Sequence, residues 1–421
     1  MTGWINDFQS PRLTSLVNEA VAKNYDLSSA LARVQQAGER AAITGAGRLP
    51  ELDAGLQTNR SQNLRGATFR SVRANNFNFA LSMAWEIDMW GRIKNLRDAD
   101  LDEVSAQANL FEASRLSLAA NVAKTAFDIV EARLQIDLSN RTLRSLRTNL
   151  EILDAKLEAG DADDRTALEI SLSRADIARV QSNILANERQ RDVSKRTLET
   201  LMGRYPSGSI DGLSSMPTIS REVPIGLPSE LMLRRPDLLA AEAKVDAGLK
   251  NLAASRKALL PAIRITGGAG TATTDEFVDI FDVQNLVWNI GANLTRPIYQ
   301  GGQLRAEIRL SEAERDELVS DYAQTALTAF REVETALASE GYYRAQVAAL
   351  TIAVVEARRA ESLSLGQYEE GLVDIITLLD SQRRAFDSQS TLLTVQLELL
   401  KNRTDLYLAL GGDFDHLLSE K

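Results

Sequence analysis

The chain has no cysteine and one histidine, His416, close to its C-terminus. Without thiols there are no disulfides, thiolate nucleophiles or cysteine metal sites. A single histidine in the tail has no partner with which to act as base or ligand. A carboxylate-bridged metal centre in a helical bundle needs Glu-x-x-His pairs and is excluded on the same ground. No cofactor and no metal site are expected. Proline (9) and glycine (24) are too few in 421 residues for many loops, so long uninterrupted elements are expected. Basic charge is also short: the net charge of −10 lacks the footprint that nucleic acid requires. No apolar run approaches the ~18 residues of a membrane helix. The opening MTGWINDFQSPRLTSLV has neither the charged n-region nor the apolar h-region of a signal peptide. Alone, these two absences point to a soluble chain, but membrane strands carry only a weak alternating signal that neither test registers.

What is present is a duplication. An offset of 211 pairs Asp26-Leu27 with Asp237-Leu238, Leu49-Pro50 with Leu260-Pro261, Gly91 with Gly302 and Gly160 with Gly371. Inside the helical stretches the register slips to 203, where TAF at 125–127 meets TAF at 328–330. Matches in this order on nearly one offset indicate two copies of one unit. The Gly-, Pro- and Ser-containing segment 203–226 joins them.

Each copy opens with an amphipathic helix, near 12–45 and 228–257, followed by two stretches of period two. Leu52, Ala54 and Leu56 alternate with Asp53, Gly55 and Gln57; Phe77, Phe79, Leu81, Met83, Trp85 and Ile87 alternate with small or polar residues. The second copy is weaker, with Ile263 and Ile265, then Trp288, Ile290, Ala292 and Leu294. Strands of about 10–13 residues with one apolar face suit a tilted bilayer crossing better than a globular sheet. After Gly91 no turn signal appears until Glu158-Ala159-Gly160-Asp161. A helix over that span reaches on the order of 100 Å. Leu116, Ala120, Ala123, Phe127, Val130 and Leu134, then Leu143, Leu146, Leu150, Leu153 and Leu157, follow coiled-coil spacing. A second helix returns over 162–202, and the other copy repeats the pair over 302–371 and 374–410. Each copy thus predicts a strand pair and a long helical hairpin with glycine at its tip. Four strands leave two open edges, which lipid does not tolerate; three copies would close twelve.

The chain resembles the TolC family of outer-membrane efflux proteins, specifically the outer-membrane factor lipoprotein branch serving resistance-nodulation-division pumps. The resemblance rests on WINDFQSPRLTSLVNEAVAKNYDL, WEIDMWGRIK, RPIYQGGQLRAEI, TAFREVETAL and YEEGLVDIITLLDSQR, in order and over nearly the whole chain. It implies a mainly α fold with a membrane β-barrel: a homotrimer with a twelve-stranded barrel, a periplasmic tunnel of twelve helices and a belt of shorter helices. It implies a passive export duct rather than an enzyme, with a periplasmic adaptor, an inner-membrane pump and outer-membrane lipid as partners. A duct of type I protein secretion and a soluble coiled-coil scaffold are the alternatives. The corresponding segments are N-terminal equatorial helices (1–48), barrel hairpin (49–90), tunnel hairpin (91–202), linker (203–226), second helix (227–259), second barrel hairpin (260–300), second tunnel hairpin (301–411) and tail (412–421).

The resemblance also implies a gate at the second helix tip. The aspartate of the family's LLD motif falls on Asp380, and three such carboxylates around one axis would repel one another and attract cations. Gln367-Tyr368 stand where the family commonly has Arg-Tyr, so the tyrosine can still hydrogen-bond but no arginine salt bridge forms. Glu169 is the counterpart of Asp380 in the first copy. Gly160 and Gly371 are expected as helix C-caps at the tips that meet the adaptor. Trp85 and Trp90 are expected as anchors at the membrane interface, with Asp88 as an N-cap and Gly91 relaxing the backbone where strand becomes helix. Lipoprotein members open with a leader and a lipidated cysteine, and neither is expected in this chain. Finally, 60–74 reads as an outer loop carrying Arg60, Arg65, Arg70 and Arg73. Its counterpart 271–286 carries Asp275, Glu276, Asp279 and Asp282, and the two loops are expected either to pair across the barrel mouth or to leave the arginines to meet lipopolysaccharide phosphates.

Overall fold

The structure is a computed structural model that describes residues 3–65, 70–159, 164–219, 234–274 and 276–412. Gly160, Asp275, His416, the last part of the 203–226 linker and the side chains of Arg65 and Arg70 lie outside what it describes.

The helices are α1 (Pro11–Lys23), α2 (Tyr25–Ala46), α3 (Arg92–Glu158), α4 (Asp164–Leu201), α5 (Pro236–Lys257), α6 (Gln303–Glu369) and α7 (Ile375–Ala409); the strands are β1 (Glu51–Arg65), β2 (Arg70–Ile87), β3 (Ala262–Thr273) and β4 (Leu286–Thr295). The duplication is visible in the lengths: α2 and α5 have 22 residues each, α3 and α6 have 67 each.

Three boundaries differ from the sequence reading. The helix expected over 12–45 breaks at Asn24, whose side chain accepts the Leu27 N–H at 2.9 Å and donates to the Leu201 carbonyl at 2.9 Å. Asn24 thereby caps α2, and a capping amide competes with helix continuation. The start expected at 228 lies outside the described residues, and α5 itself begins at Pro236; Arg235 precedes a proline, which pushes it out of helical geometry and leaves Pro236 at the favoured first position. The loop expected over 60–74 shrinks because β1 runs to 65 and β2 starts at 70, placing Arg60 and Arg73 on strands.

The chain divides into two compact units. The first (1–30, 111–238 and 326–421) has no strand among its described residues and is built mainly of helices. Its main core joins the coiled-coil seam of α3, from Leu116 to Val130, to Trp4, Phe8, Leu16, Leu198, Leu400 and Tyr407. Trp4 stacks on Tyr407 at 5.3 Å, and Phe8 packs on Phe127 at 5.2 Å. A second cluster collects Leu143, Leu146 and Leu153 of α3, Ile170 and Val180 of α4, Tyr368 of α6 and Ile375, Leu378 and Leu379 of α7. Leu157, the last residue of the expected seam, is 49% exposed, so the seam ends one turn earlier.

The second unit (31–110 and 239–325) carries the sheet. Its four strands pair in chain order, all antiparallel. Helix α5 is tied to α6 by Arg256–Glu312 (2.8 Å) and Ser255–Ser311 (2.8 Å), and to α3 by Lys250–Asp102.

Candidate functional site

The register of the sheet sorts its side chains. Residues directly opposite in an antiparallel ladder share a face. Leu56 pairs with Phe79, Phe79 with Thr271 and Thr271 with Leu286; Leu81 pairs with Ala269 and Ala269 with Trp288; Trp85 pairs with Ile265. One face therefore carries Leu52, Leu56, Phe77, Phe79, Leu81, Met83, Trp85, Ile87, Ile263, Ile265, Trp288, Ile290 and Leu294. The other carries Asp53, Gln57, Asn76, Asn78, Ser82, Glu86, Arg264, Thr266, Asn289 and Asn293. The apolar face is open: Leu52, Leu81, Trp288, Ile290 and Leu294 are all more than half exposed. Exposed apolar surface on this scale marks an interaction surface. From Phe77 to Ile87 the face spans ten residue steps, about 33 Å of strand. At the tilt of about 40° seen in membrane barrels this becomes about 25 Å, the height of their apolar band.

At the inner end of β2 the chain turns into α3 within four residues. Asp88 accepts the N–H groups of Ile93 (3.0 Å) and Lys94 (2.7 Å), filling two of the four donors a helix start leaves unpaired. Gly91 sits at φ 71° and its carbonyl accepts the first helical bond from Asn95. Gly302 repeats this before α6, at φ 88° with Ala306 donating to it. Both sequence-predicted tryptophans are at this joint. The Trp85 indole N–H donates to the Arg48 carbonyl at 2.9 Å and that of Trp90 to Pro261 at 2.7 Å. Glu86, on the polar face, bonds Arg92 at 2.7 Å with Arg264 at 3.9 Å.

The helix tip assembles the remaining candidates. Helix α6 ends in a Schellman motif: Leu372 N–H donates to Gln367 carbonyl and Gly371 N–H to Tyr368 carbonyl, with Gly371 at φ 75°. Asp374 then caps α7 through the Thr377 N–H at 2.9 Å. Gln367 is exposed, whereas Tyr368 is buried in the second cluster with Lys156 Nζ 5.0 Å from its ring centre. Its hydroxyl has no hydrogen-bond partner among the described residues. Asp380 follows the buried Leu378-Leu379 pair, and its half-exposed carboxylate accepts from Arg384 Nε at 2.9 Å. The sequence reading did not include Arg384, although the i, i+4 spacing was there to find it. Beside it Arg383 pairs with Asp176 of α4 at 3.2 Å. Glu169 is half-buried on α4.

The segment between β3 and β4, read from the sequence as an acidic loop, is more ordered than that reading gives. It forms two short 3-10 turns, Phe277–Phe281 and Val283–Asn285, the first lying on the apolar face of the sheet. The expected pairing of acidic and basic loops does not form among the described residues. Asp279 accepts the Glu276 N–H, Asp282 accepts the Gln284 N–H, and Arg73 donates to Gln62 at 3.1 Å.

Comparison with known proteins agrees with this geometry. The profile of the outer membrane efflux protein family matches residues 16–204 and 227–412, one match on each repeat. The chain is similar to the pyoverdine export outer membrane protein OpmQ of Pseudomonas putida, with 33% identity over 97% of this chain and 87% of the relative. It is 28% identical to the cation efflux system protein CusC of Escherichia coli, over 97% and 88% of the two chains. Its fold matches the open-state crystal structure of the Neisseria gonorrhoeae MtrE outer membrane channel with a TM-score of 0.87 at 27% identity, covering 96% and 89%. With family profile, sequence relatives and fold in agreement over both repeats, the chain belongs to the outer membrane efflux protein family.

Proposed function

We propose that the protein is the passive outer-membrane duct of a tripartite efflux system, working as a homotrimer with a periplasmic adaptor and an inner-membrane resistance-nodulation-division pump. The observation that carries this reading is the two-faced sheet. An apolar face of membrane height backed by a face of Asn, Ser, Thr and small residues is the wall of a water-filled barrel. One chain cannot close such a wall, because the outer edges of β1 and β4 would leave ladder groups unpaired in lipid at several kcal/mol each. Three four-stranded sheets close a twelve-stranded barrel.

In this reading α3, α4, α6 and α7 form the tunnel, and the segments bounded at 48, 90, 202, 226, 259, 300 and 411 divide belt, barrel, tunnel and linker. The duct performs no chemistry. Asp380 with Gln367 and Tyr368 forms the gate, Gly371 (with Gly160 beyond the described residues) shapes the tips that meet the adaptor, and Trp85 and Trp90 sit at the periplasmic interface of the outer membrane. The Tyr368 hydroxyl, buried and without a hydrogen-bond partner among the described residues, supports the gate, since such a group costs about 1–3 kcal/mol and a rearrangement of the tip that paired it would recover that cost. Cargo is selected upstream by pump and adaptor. The relatives' own names, pyoverdine export and cation efflux, span that range.

Single-channel recording of the detergent-solubilised protein in planar bilayers tests the reading. A cation-selective pore whose conductance rises in Asp380→Ala is expected. A protein that stays in the soluble fraction without detergent and forms no pore would be a coiled-coil scaffold instead.

A further inference from the structure

Near its outer end the apolar face is built into a groove. The turn Phe277–Phe281 folds back over β2 and β3: Phe277 meets Phe77 edge-on at 5.6 Å, Ile280 is buried, and the Thr271 hydroxyl donates to the Ile280 carbonyl at 2.5 Å. Between turn and strands lies a cavity of about 560 Å³ lined by Leu56, Phe79, Leu81, Ala269, Phe281 and Leu286 among others. That size falls in the ligand-site range of about 300–1,000 Å³. Its lining residue Phe281 is 78% exposed, and Val283 in the next turn is 77% exposed. A soluble turn would hide such side chains; here they extend the apolar surface.

Directly outward on the same face the chemistry changes sign. Arg60 pairs in the ladder with Asn75, and Gln62 with Arg73. The Arg60 rung lies two residues beyond the Thr58–Phe77 rung, about 7 Å along the strand. Neither arginine has a carboxylate partner among the described residues. The nearby acids Asp279 and Asp282 instead hold backbone N–H groups of their own turns. An apolar groove alone would accept any lipid tail. Two guanidinium groups farther out on the same face, on rungs about 13 and 20 Å along the strands from the Leu56–Phe79 rung, can each bind phosphate through paired N–H donors and select an anionic headgroup.

We infer that this groove binds one phosphate-bearing, acylated lipid of the outer leaflet, its tail against Leu56, Phe79 and Phe281 and its phosphate between Arg60 and Arg73. The inference rests on the reading of the sheet as a barrel wall with its apolar face in lipid. Phe277–Phe281 then acts as a clamp that orders a lipid at the barrel rim.

Native mass spectrometry of the detergent-solubilised protein tests it with three probes: diphosphoryl lipid A, the same lipid stripped of phosphate, and phosphatidylcholine. Retention of diphosphoryl lipid A over the other two is expected. The Arg60→Gln/Arg73→Gln variant should lower that retention on the order of tenfold, the loss of about 1.4 kcal/mol in charge-assisted bonding. Phe281→Ser, at an exposed position, should lower retention of both lipid A forms. Planar-bilayer conductance is measured on the same samples. Wild-type pores with equal retention of all three probes, or with retention unchanged in the double arginine variant, overturn the lipid site and leave the duct standing. Absence of pores in the wild-type protein overturns the barrel and the lipid site together.

Discussion

Arg403 and Glu340, sixty-three residues apart, form a buried ion pair: Nη2 lies 2.5 Å from Oε1, and the side chains are 0% and 8% exposed. Arg344 adds a second contact to Glu340 at 2.9 Å. Burial works to raise the Glu340 pKa, but the two arginines outweigh it and hold it below its reference of 4.5. A carboxylate lowered in the folded state contributes stability above its unfolded pKa, and that contribution fades as pH falls through the folded value. Arg403→Met leaves the buried Glu340 carboxylate with only the half-exposed Arg344 as an ionic partner and should cost on the order of 3 kcal/mol at pH 7. The gap in thermal midpoint between wild type and variant should narrow in melts taken well below pH 4.5. An equal gap at both pH values would show that the pair contributes through packing alone.

The tip glycine and the linker glycine should respond differently to the same change. Gly371 and Gly203 both sit at positive φ, 75° and 66°. A Cβ on Gly371 would meet nothing within 4 Å, whereas one on Gly203 would lie 2.5 Å from the Lys23 carbonyl oxygen. Gly371→Ala should therefore cost only the left-handed backbone penalty, about 1–2 kcal/mol. Gly203→Ala adds a backbone collision and should cost more. Urea unfolding with unchanged slope reads the difference.

At the joint between strand and helix, Asp88→Ala removes the acceptor of two first-turn N–H groups. A loss of about 1–2 kcal/mol confined to the start of α3 is expected. Hydrogen exchange should quicken at Ile93 and Lys94 while amides deep in the coiled-coil seam keep their rates. Uniform acceleration would mean that Asp88 supports the global fold instead.

The gate reading makes a charge prediction through Arg384. Its 2.9 Å bond to Asp380 partly neutralises the carboxylate that the duct would present. Arg384→Ala should raise cation over anion permeability, Asp380→Ala should lower it, and the double variant should return towards wild type. Reversal potentials in a salt gradient measure all three. Screening makes the effects weaker at 1 M salt than at 0.1 M; selectivity indifferent to all three variants would remove Asp380 from the pore.

What the sequence alone determined was set by short-range periodicity. The alternation through Phe77–Ile87, the heptad seam from Leu116 to Leu153, the 67-residue helices and the Asp88–Gly91 joint follow from the spacing of apolar side chains and from local capping. Such features need no knowledge of distant residues. The tertiary structure decided what depended on distant partners. Asn24 breaks one helix into two while its amide reaches the Leu201 carbonyl, 177 residues away. The turn Phe277–Phe281 reads as an acidic loop until Phe77 and Thr271 are seen beneath it. Tyr368 reads as a hydrogen-bonding gate residue, and only the packing of Ile375, Leu378 and Leu379 around it shows it buried with its hydroxyl unpaired among the described residues. Periodicity tells which face of an element is apolar; only packing tells which groups then cover it, and which polar atoms the covering leaves to find a partner.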